Sequence, residues 1–343
     1  MRTPAACGVL GASSLWTSLA VVLCLSPAAP TAAQSCCSAT AANDFGVVGR
    51  CNYAIVASEL SYEHGMASYS ADGELHPLRD IAYRDLVGRV GAGLRLPFND
   101  IQVHGQVPVR IQHRRLGAED DEISGGVGDA SAAVRWTVMN DTTDGIGAEP
   151  GSYRPYLDIF LGAKAPTGNT LDDSSSSSNA DVTGTGVWEL GAGLKVSKYI
   201  TGEHVVQVMG QYAMRTRRAL APSSTGGPTD YAPGDLVTTQ LGWIQIESIF
   251  WSWGASANFE FTGAASQHLP GASASGELTP IDDSQTHRLR VGGFITRALN
   301  YPTLDLTLNV SFDPPLDGSA RNIPFAGPSV GLKLAYNFID KVF

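Results

Sequence analysis

Arginine residues recur at alternate positions in several stretches of the sequence. Arg288 and Arg290 are separated by one residue, and Arg215 and Arg217 repeat that spacing. Because successive side chains of a β-strand point to opposite faces, residues two apart share a face. Grouped guanidinium and carboxylate groups can select a solute, or they can neutralise one another as a network of ion pairs. The charged side chains predicted to lie on polar faces in this way are Arg89, Arg95, Arg110, Arg114, Arg135, Asp158, Lys164, Glu189, Arg215, Arg217, Arg288, Arg290 and Asp305.

The residue types that enzymes use occur in the chain without the spacing that catalysis needs. The seven histidines have no metal-ligand spacing, and the chain has no Gly-x-Ser-x-Gly nucleophile elbow. His104 and His113 are predicted to lie on opposite faces of one strand. Acidic clusters at residues 119–122, 172–173 and 282–283 lack the ligand spacing of a calcium loop, which favours a solvated surface. We therefore expect no metal, no cofactor and no enzymatic activity.

Strands are the elements that would position the charged side chains. Apolar residues alternate with polar or glycine residues over residues 126–138, 156–168 and 184–196, which is the period of a strand with one apolar face. The same alternation recurs in about twelve segments of roughly 10 to 15 residues. The first of these segments covers residues 53–69, and the segment that contains Arg215 covers residues 205–217. The apolar face of the three segments carries Val134, Trp136, Leu157, Ile159, Leu161, Trp188, Leu190 and Leu194.

The apolar faces could form the core of a soluble sandwich or face lipid in a transmembrane barrel. Charged residues make up 16% of the chain, below the roughly 25% of soluble domains, which favours a large surface away from water. Predicted connections alternate between short and long, as in barrels with periplasmic turns and outer loops, with residues 140–154 as an exception. We predict an all-β fold, a transmembrane antiparallel up-and-down barrel of about twelve strands with charged residues lining its lumen.

The N-terminus has the features of an exported protein. A basic start, an apolar run and a stretch of small residues predict a signal peptide over residues 1–33, cleaved near Ala33. A short periplasmic lead at residues 34–52 would precede the barrel at residues 53–343. Because no later stretch is apolar enough for a membrane helix, a membrane-spanning chain would have to cross with strands.

Cysteines lie close to the predicted mature N-terminus. Cys7 and Cys24 would leave with the signal peptide, and Cys36, Cys37 and Cys51 would remain. A disulfide between Cys51 and either Cys36 or Cys37 is compatible with an oxidising periplasm, and the absence of any pairing is an equal alternative.

Net charge and the C-terminus bear on the partners. The formal net charge of -10 argues against nucleic acid as a partner, because a phosphate-binding protein needs a basic surface. The expected partners are outer-membrane lipid and lipopolysaccharide, a small hydrophobic solute, and the barrel-assembly machinery. The last segment alternates toward an aromatic residue, as in the recognition strand that this machinery reads, although Phe338 and Phe343 both qualify as its end.

Three motifs resemble those of an outer-membrane barrel family labelled for the meta-cleavage pathway of phenol degradation. They are Gly126-Val-Gly-Asp129, Lys164-Ala-Pro-Thr-Gly168, and Gly184-Thr-Gly186 followed by Trp188-Glu-Leu-Gly-Ala-Gly193. The resemblance implies a relative of the long-chain fatty-acid and toluene transporters, located in the outer membrane of a Gram-negative bacterium. The residues themselves favour the shaping of strand ends over ligand contact; those of the motif are Gly126, Gly128, Asp129, Pro166, Thr167 and Gly168.

The sequence therefore predicts an outer-membrane channel that passively passes small hydrophobic or aromatic molecules. One alternative is a structural or adhesive barrel whose lumen is sealed by ion pairs, and for the charged residues this structural network is the favoured interpretation. Another is an outer-membrane lipid-modifying enzyme, although its histidine and serine motif is not found around His64 or His287.

Overall fold

The computed structural model describes most of the chain beyond its N-terminal region. The described residues are 47–48, 52–78, 81–97, 100–116, 121–139, 155–176, 178–200, 203–220, 230–248, 250–268, 278–300 and 303–339. The predicted signal peptide, its cleavage position and the cysteines Cys36, Cys37 and Cys51 lie outside these residues. The described residues contain no helix that is long and apolar enough to cross a membrane.

Twelve long strands form one antiparallel sheet. In chain order they are β1 Asn52–Gly65, β2 Ile81–Arg95, β3 Ile101–Leu116, β4 Ser131–Met139, β5 Tyr156–Lys164, β6 Glu189–Tyr199, β7 His204–Arg215, β8 Leu236–Ser248, β9 Trp251–Thr262, β10 Thr286–Asn300, β11 Leu304–Phe312 and β12 Ser329–Ile339. Each strand pairs with its neighbours in sequence, and β12 pairs with β1, where Leu60 lies opposite Leu332. The sheet is therefore a closed barrel, which confirms the predicted fold and strand number.

The two faces of the barrel differ in chemistry. Along β1, Leu60 is 55% exposed and points outward, whereas the neighbouring Glu59 is 8% exposed and points into the lumen. The other strands repeat this alternation, with Val90 and Leu161 outside and Asp85 inside. An apolar exterior around a polar interior is the pattern of a barrel that stands in lipid.

Short and long connections lie on opposite rims of the barrel. The short ones, at residues 96–100, 200–203, 249–250 and 301–303, form the short-loop rim, at which β1 begins and β12 ends. The opposite, long-loop rim carries shorter elements: the strands Ala67–Tyr69, Leu75–Pro77, Glu122–Val127, Arg218–Ala219, Asp230–Ala232, Ser266–His268, Thr279–Pro280, Ala320–Arg321 and Ile323–Ala326, and the 3-10 helix Leu171–Asp173. Residues 140–154, the predicted exception, lie outside the described residues.

The predicted strand at residues 126–138 is interrupted. Glu122–Val127 pairs with the upper part of β3, and β4 pairs with its lower part. The break falls at residues 128–130, beside Pro108 of β3, where the Gly128 N–H donates to the Pro108 carbonyl at 2.8 Å. Proline has no backbone N–H to donate to a neighbouring strand. An interruption of the strand opposite Pro108 therefore leaves fewer backbone groups without a hydrogen-bond partner.

Four other predicted segments are too long. The first strand ends at Gly65, because Ala67–Tyr69 turns away to pair with Ile323–Ala326. The strand before the Pro-Thr-Gly motif ends at Lys164, since Pro166 cannot donate to a neighbouring strand. The strand predicted at residues 184–196 begins only at Glu189. The strand predicted at residues 205–217, which is β7, ends at Arg215. Pro166, Thr167, Gly168 and Gly184 therefore belong to the loop of residues 165–188.

Gly193 lies where the barrel wall has no room for a side chain, which gives the first testable prediction. A Cβ added there would lie 2.6 Å from the Gly210 carbonyl oxygen and would also overlap the Phe160 ring, which occupies the lumen beside it. We expect Gly193→Ala to lower the free energy of unfolding by about 1–3 kcal/mol, as overpacking does, measured by urea unfolding in lipid vesicles. Gly210→Ala is the control, because its Cβ would meet no atom within 4 Å. Equal stability of the two variants would contradict the close approach.

Candidate functional site

Two adjoining cavities in the lumen are lined by described residues. The larger has a volume of about 950 Å³ and lies toward the long-loop rim, where Glu63, Arg288 and Arg290 line it. The smaller, of about 290 Å³, extends along β3 to β7. Gln106, Ser131 and Lys164 line both cavities, so the space inside the barrel continues from one into the other.

Ion pairs on the lumen wall join neighbouring strands. Arg89 of β2 donates to Glu59 of β1 at 3.1 Å. Arg110 of β3 pairs with Asp85 of β2. Because the two partners of each pair stand side by side on the wall, the charges are neutralised there and not across the barrel axis.

The wall around the smaller cavity has the same arrangement. Arg135 of β4 pairs with Asp158 of β5, which also accepts a 2.7 Å hydrogen bond from Thr137. Glu189 of β6 receives Lys164 from one neighbouring strand at 2.6 Å and Arg215 from the other at 3.1 Å. Lys195, which is 5% exposed, lies opposite Asp158 in register.

One group of ion pairs joins two strands that are not neighbours in the barrel. The Glu63 carboxylate of β1 accepts from Arg288 at 2.7 Å and from Arg290 at 2.6 Å, both on β10. Asp313, at the end of β11, accepts from Arg288 at 2.6 Å and from the Gly327 N–H at 2.9 Å. This cluster ties the loop of residues 313–328 to the lumen wall and narrows one side of the larger cavity.

The remaining predicted lumen residues lie nearer the rims. Arg95 is 3.9 Å from Asp100 at the short-loop rim, and Asp305 accepts a 2.7 Å hydrogen bond from Asn337. Arg217 follows the end of β7, is exposed and lines neither cavity. The Thr216 N–H donates to the Trp188 carbonyl of the neighbouring loop at 2.9 Å, which continues the pairing of β7 one residue past Arg215, to the position before Arg217.

Asp129 is the centre of the glycine-rich motifs. Its carboxylate, 8% exposed, accepts from the Gly168 N–H at 3.1 Å, the Thr185 N–H at 2.8 Å and the Thr185 hydroxyl at 2.9 Å. Nearby, Thr167 donates its hydroxyl to the Gly128 carbonyl at 2.7 Å. The interrupted strand and both ends of the loop at residues 165–188 are therefore joined at one carboxylate.

Glycines are required where the two loop ends meet. A Cβ on Gly168 would lie 2.7 Å from the Gly184 Cα, and one on Gly184 would overlap the Asp129 carboxylate. Gly126 faces the Thr183 side chain, whose hydroxyl donates to the Val127 carbonyl at 2.7 Å. The motif residues thus shape the rim and its loop, and the sequence contained no signal that Thr183 and Thr185 were their partners.

The same loop bends over the lumen. Gln112 donates to the Val182 carbonyl at 2.7 Å and Arg114 to the Ser178 carbonyl at 3.0 Å, so residues of β3 hold it from inside. Hydrogen bonds from the Ser174 hydroxyl and the Ser175 N–H lower the pKa of Asp181 below its ordinary value. The Asp181 carboxylate therefore stays charged at neutral pH and fixes the fold of the loop. No group of three His, Cys, Asp or Glu residues suited to a metal occurs in the described ranges.

Comparison with solved structures shows the fold. An outer membrane channel from Pseudomonas putida F1 has a TM-score of 0.66 and 14% identity, covering 87% of this chain and 100% of that one. The translocator domain of the autotransporter NalP from Neisseria meningitidis has a TM-score of 0.45 at 11% identity, covering 83% and 88%. The CymD monoaromatic hydrocarbon channel has a TM-score of 0.39 at 8% identity, covering 84% and 89%. The first of these likenesses shows that the chain has the fold of an outer-membrane β-barrel.

No family model matches the sequence, and no curated protein does. The family resemblance of the three motifs consequently stays a prediction. The function of the chain therefore has to be inferred from the cavities and the ion pairs of the lumen.

Proposed function

We propose that this chain is an outer-membrane channel through which small molecules pass passively. The observation that carries the proposal is that two adjoining cavities run inside the barrel while the ion pairs of its wall, apart from the group at Glu63, join neighbouring strands. Charges neutralised between neighbouring strands do not bridge the lumen, which supports a path for water and solute along the cavities.

The proposed solutes are small hydrophobic or aromatic molecules. Phe160 and Met209 line the smaller cavity, and Pro108 and Phe294 line the larger one, so apolar contacts are available in both. The charged groups between them favour a solute that also carries a polar group, because a pure hydrocarbon would have to displace water from those charges without replacing its hydrogen bonds.

The proposed location is the outer membrane of a Gram-negative bacterium, with the signal peptide cleaved near Ala33. The apolar exterior supports contact with outer-membrane lipid and lipopolysaccharide, and the barrel would be inserted by the assembly machinery that handles such folds. The long-loop rim would face outward and the short-loop rim the periplasm.

A sealed structural barrel is the second candidate. The bridge from Glu63 to Arg288 and Arg290 spans two intervening strands, and Val182 is held over the lumen by Gln112. If these contacts closed the long-loop rim, the barrel would have no transport role.

Solute entry into liposomes separates the two candidates. We expect vesicles containing the purified barrel to swell in L-arabinose and in sodium benzoate, solutes that lipid alone admits slowly. Protein-free vesicles and vesicles with heat-unfolded protein are the controls. Swelling no faster than in these controls for both solutes would contradict the channel and support the sealed barrel.

A further inference from the structure

An aromatic stack joins the lumen wall to an outer loop. The rings of Tyr83 and Phe325 are nearly parallel, with an angle of 4° and a centroid distance of 4.0 Å. The Arg114 guanidinium lies 5.6 Å from the Tyr83 ring centre and 5.8 Å from that of Phe325. A flat ring is thus held against tyrosine, a contact that favours aromatic over aliphatic groups, with the guanidinium at the side of the stack.

The two rings are fixed to different degrees. Tyr83 stands on β2, is buried, and donates its hydroxyl to Asp85 at 3.3 Å, which is in turn paired with Arg110. Phe325 belongs to the loop strand Ile323–Ala326, whose backbone is held by the 2.8 Å bond from the Met66 N–H to the Ala326 carbonyl. The Phe325 side chain can therefore rotate away without breaking that backbone pairing, whereas Tyr83 keeps its place.

The stack adjoins the space that a solute would enter. Arg114, Asp85 and Arg110 all line the larger cavity, and Asp85 and Arg110 hold Tyr83 from that side. Because Arg114 lines the cavity and lies beside the Tyr83 ring, a ring that reaches Arg114 from the cavity is next to the stack.

We propose that Tyr83 and Arg114 form a binding site for a planar aromatic ring and that Phe325 occupies this site when no solute is present. Solute binding replaces one ring by another on the Tyr83 face, so the site discriminates planar rings from aliphatic rings of equal size. The inference rests on the proposed channel function for its role in transport, but the binding site itself does not require transport.

Replacement of the Phe325 ring by a solute ring affects both loops that lie over the lumen. Phe325 lies on the loop of residues 313–328, and Arg114 holds the loop of residues 165–188 through Ser178. A solute ring on the Tyr83 face detaches the Phe325 ring from the wall and lies beside the same guanidinium. Arrival of an aromatic solute would thus loosen the contacts that narrow the long-loop rim.

Binding of benzoate to the purified barrel in detergent, followed by ligand-observed NMR, tests the site. Cyclohexanecarboxylate has the same charge and nearly the same size but no planar ring. We expect benzoate to bind about tenfold more tightly than cyclohexanecarboxylate. Phe325→Ala should strengthen benzoate binding by about five- to tenfold, because the internal competitor is removed, and Tyr83→Leu should abolish the preference for benzoate.

Two further variants keep the test decisive. Tyr83→Phe retains the ring and should retain the preference even if Tyr83→Leu folds poorly, and Tyr336→Leu removes an exposed aromatic residue from the outer face of β12 and should change nothing. Weaker binding in Phe325→Ala, or equal binding of the two acids by the unaltered protein, would overturn the proposal. A barrel that binds benzoate in this way yet admits no solute into liposomes would contradict the channel and leave the site standing.

Discussion

Replacement of Asp129 by alanine is expected to accelerate amide hydrogen exchange across residues 165–188 by about two orders of magnitude. The carboxylate accepts three hydrogen bonds, from the Gly168 N–H and from the N–H and hydroxyl of Thr185. Hydrogen bonds to charged groups contribute about 1.5–3 kcal/mol each, so a net loss of roughly 3 kcal/mol in local stability is a modest expectation. At about 1.4 kcal/mol per factor of ten, the loop opens about a hundred times more often.

The informative amides are those of Thr183 and Gly184. They donate to the Asn169 carbonyl at 3.0 and 2.9 Å and lose no partner directly in the variant, so faster exchange there reports opening of the loop. Asp172→Ala is the matched control, because Asp172 lies in the same loop and its pair with Arg218 at 3.7 Å is partly exposed; such pairs contribute little. Exchange that is equally fast in both variants would contradict the central role of Asp129.

Replacement of Ser131 by tryptophan is expected to lower the single-channel conductance at least about fivefold. Ser131 lines both cavities, and the smaller of them measures only about 290 Å³, so an indole ring would stand in the passage between them. A constriction of this kind raises the barrier for every ion that passes.

The control for this experiment lies on the same strand. Val134 of β4 is 45% exposed on the apolar outer face, so Val134→Trp adds the same ring where lipid can accommodate it. Its conductance should equal that of the unaltered protein. Unchanged conductance in the Ser131 variant would contradict a path through the junction of the two cavities.

The alternation of apolar and polar residues along the sequence was sufficient to predict the barrel. Alternation in stretches such as residues 304–312 assigns each side chain to a face, and a closed sheet of twelve strands is the arrangement that buries every strand edge. The contrast between the tight turn at residues 301–303 and the loop at residues 313–328 separated the two rims. These features depend on local order along the chain, which the sequence carries directly.

The contacts within the lumen could not be predicted in the same way. Alternation places Glu63 and Arg288 on the inner face, but it does not give their height on the wall or the curvature that brings them together across two strands. The stack of Tyr83 and Phe325 joins a strand to a distant loop, and nothing in either local sequence marks it. Asp129 carried a recognisable motif, yet its partner Thr185 became evident only from the folded loop.

The most direct test of the account is the conductance of the purified, folded barrel in a planar lipid bilayer. A continuous lumen predicts discrete current steps that appear as single barrels insert and that vanish when the protein is heat-unfolded before addition. Insertion of folded barrels into the bilayer without any current step would contradict the open path and, with it, the proposed channel.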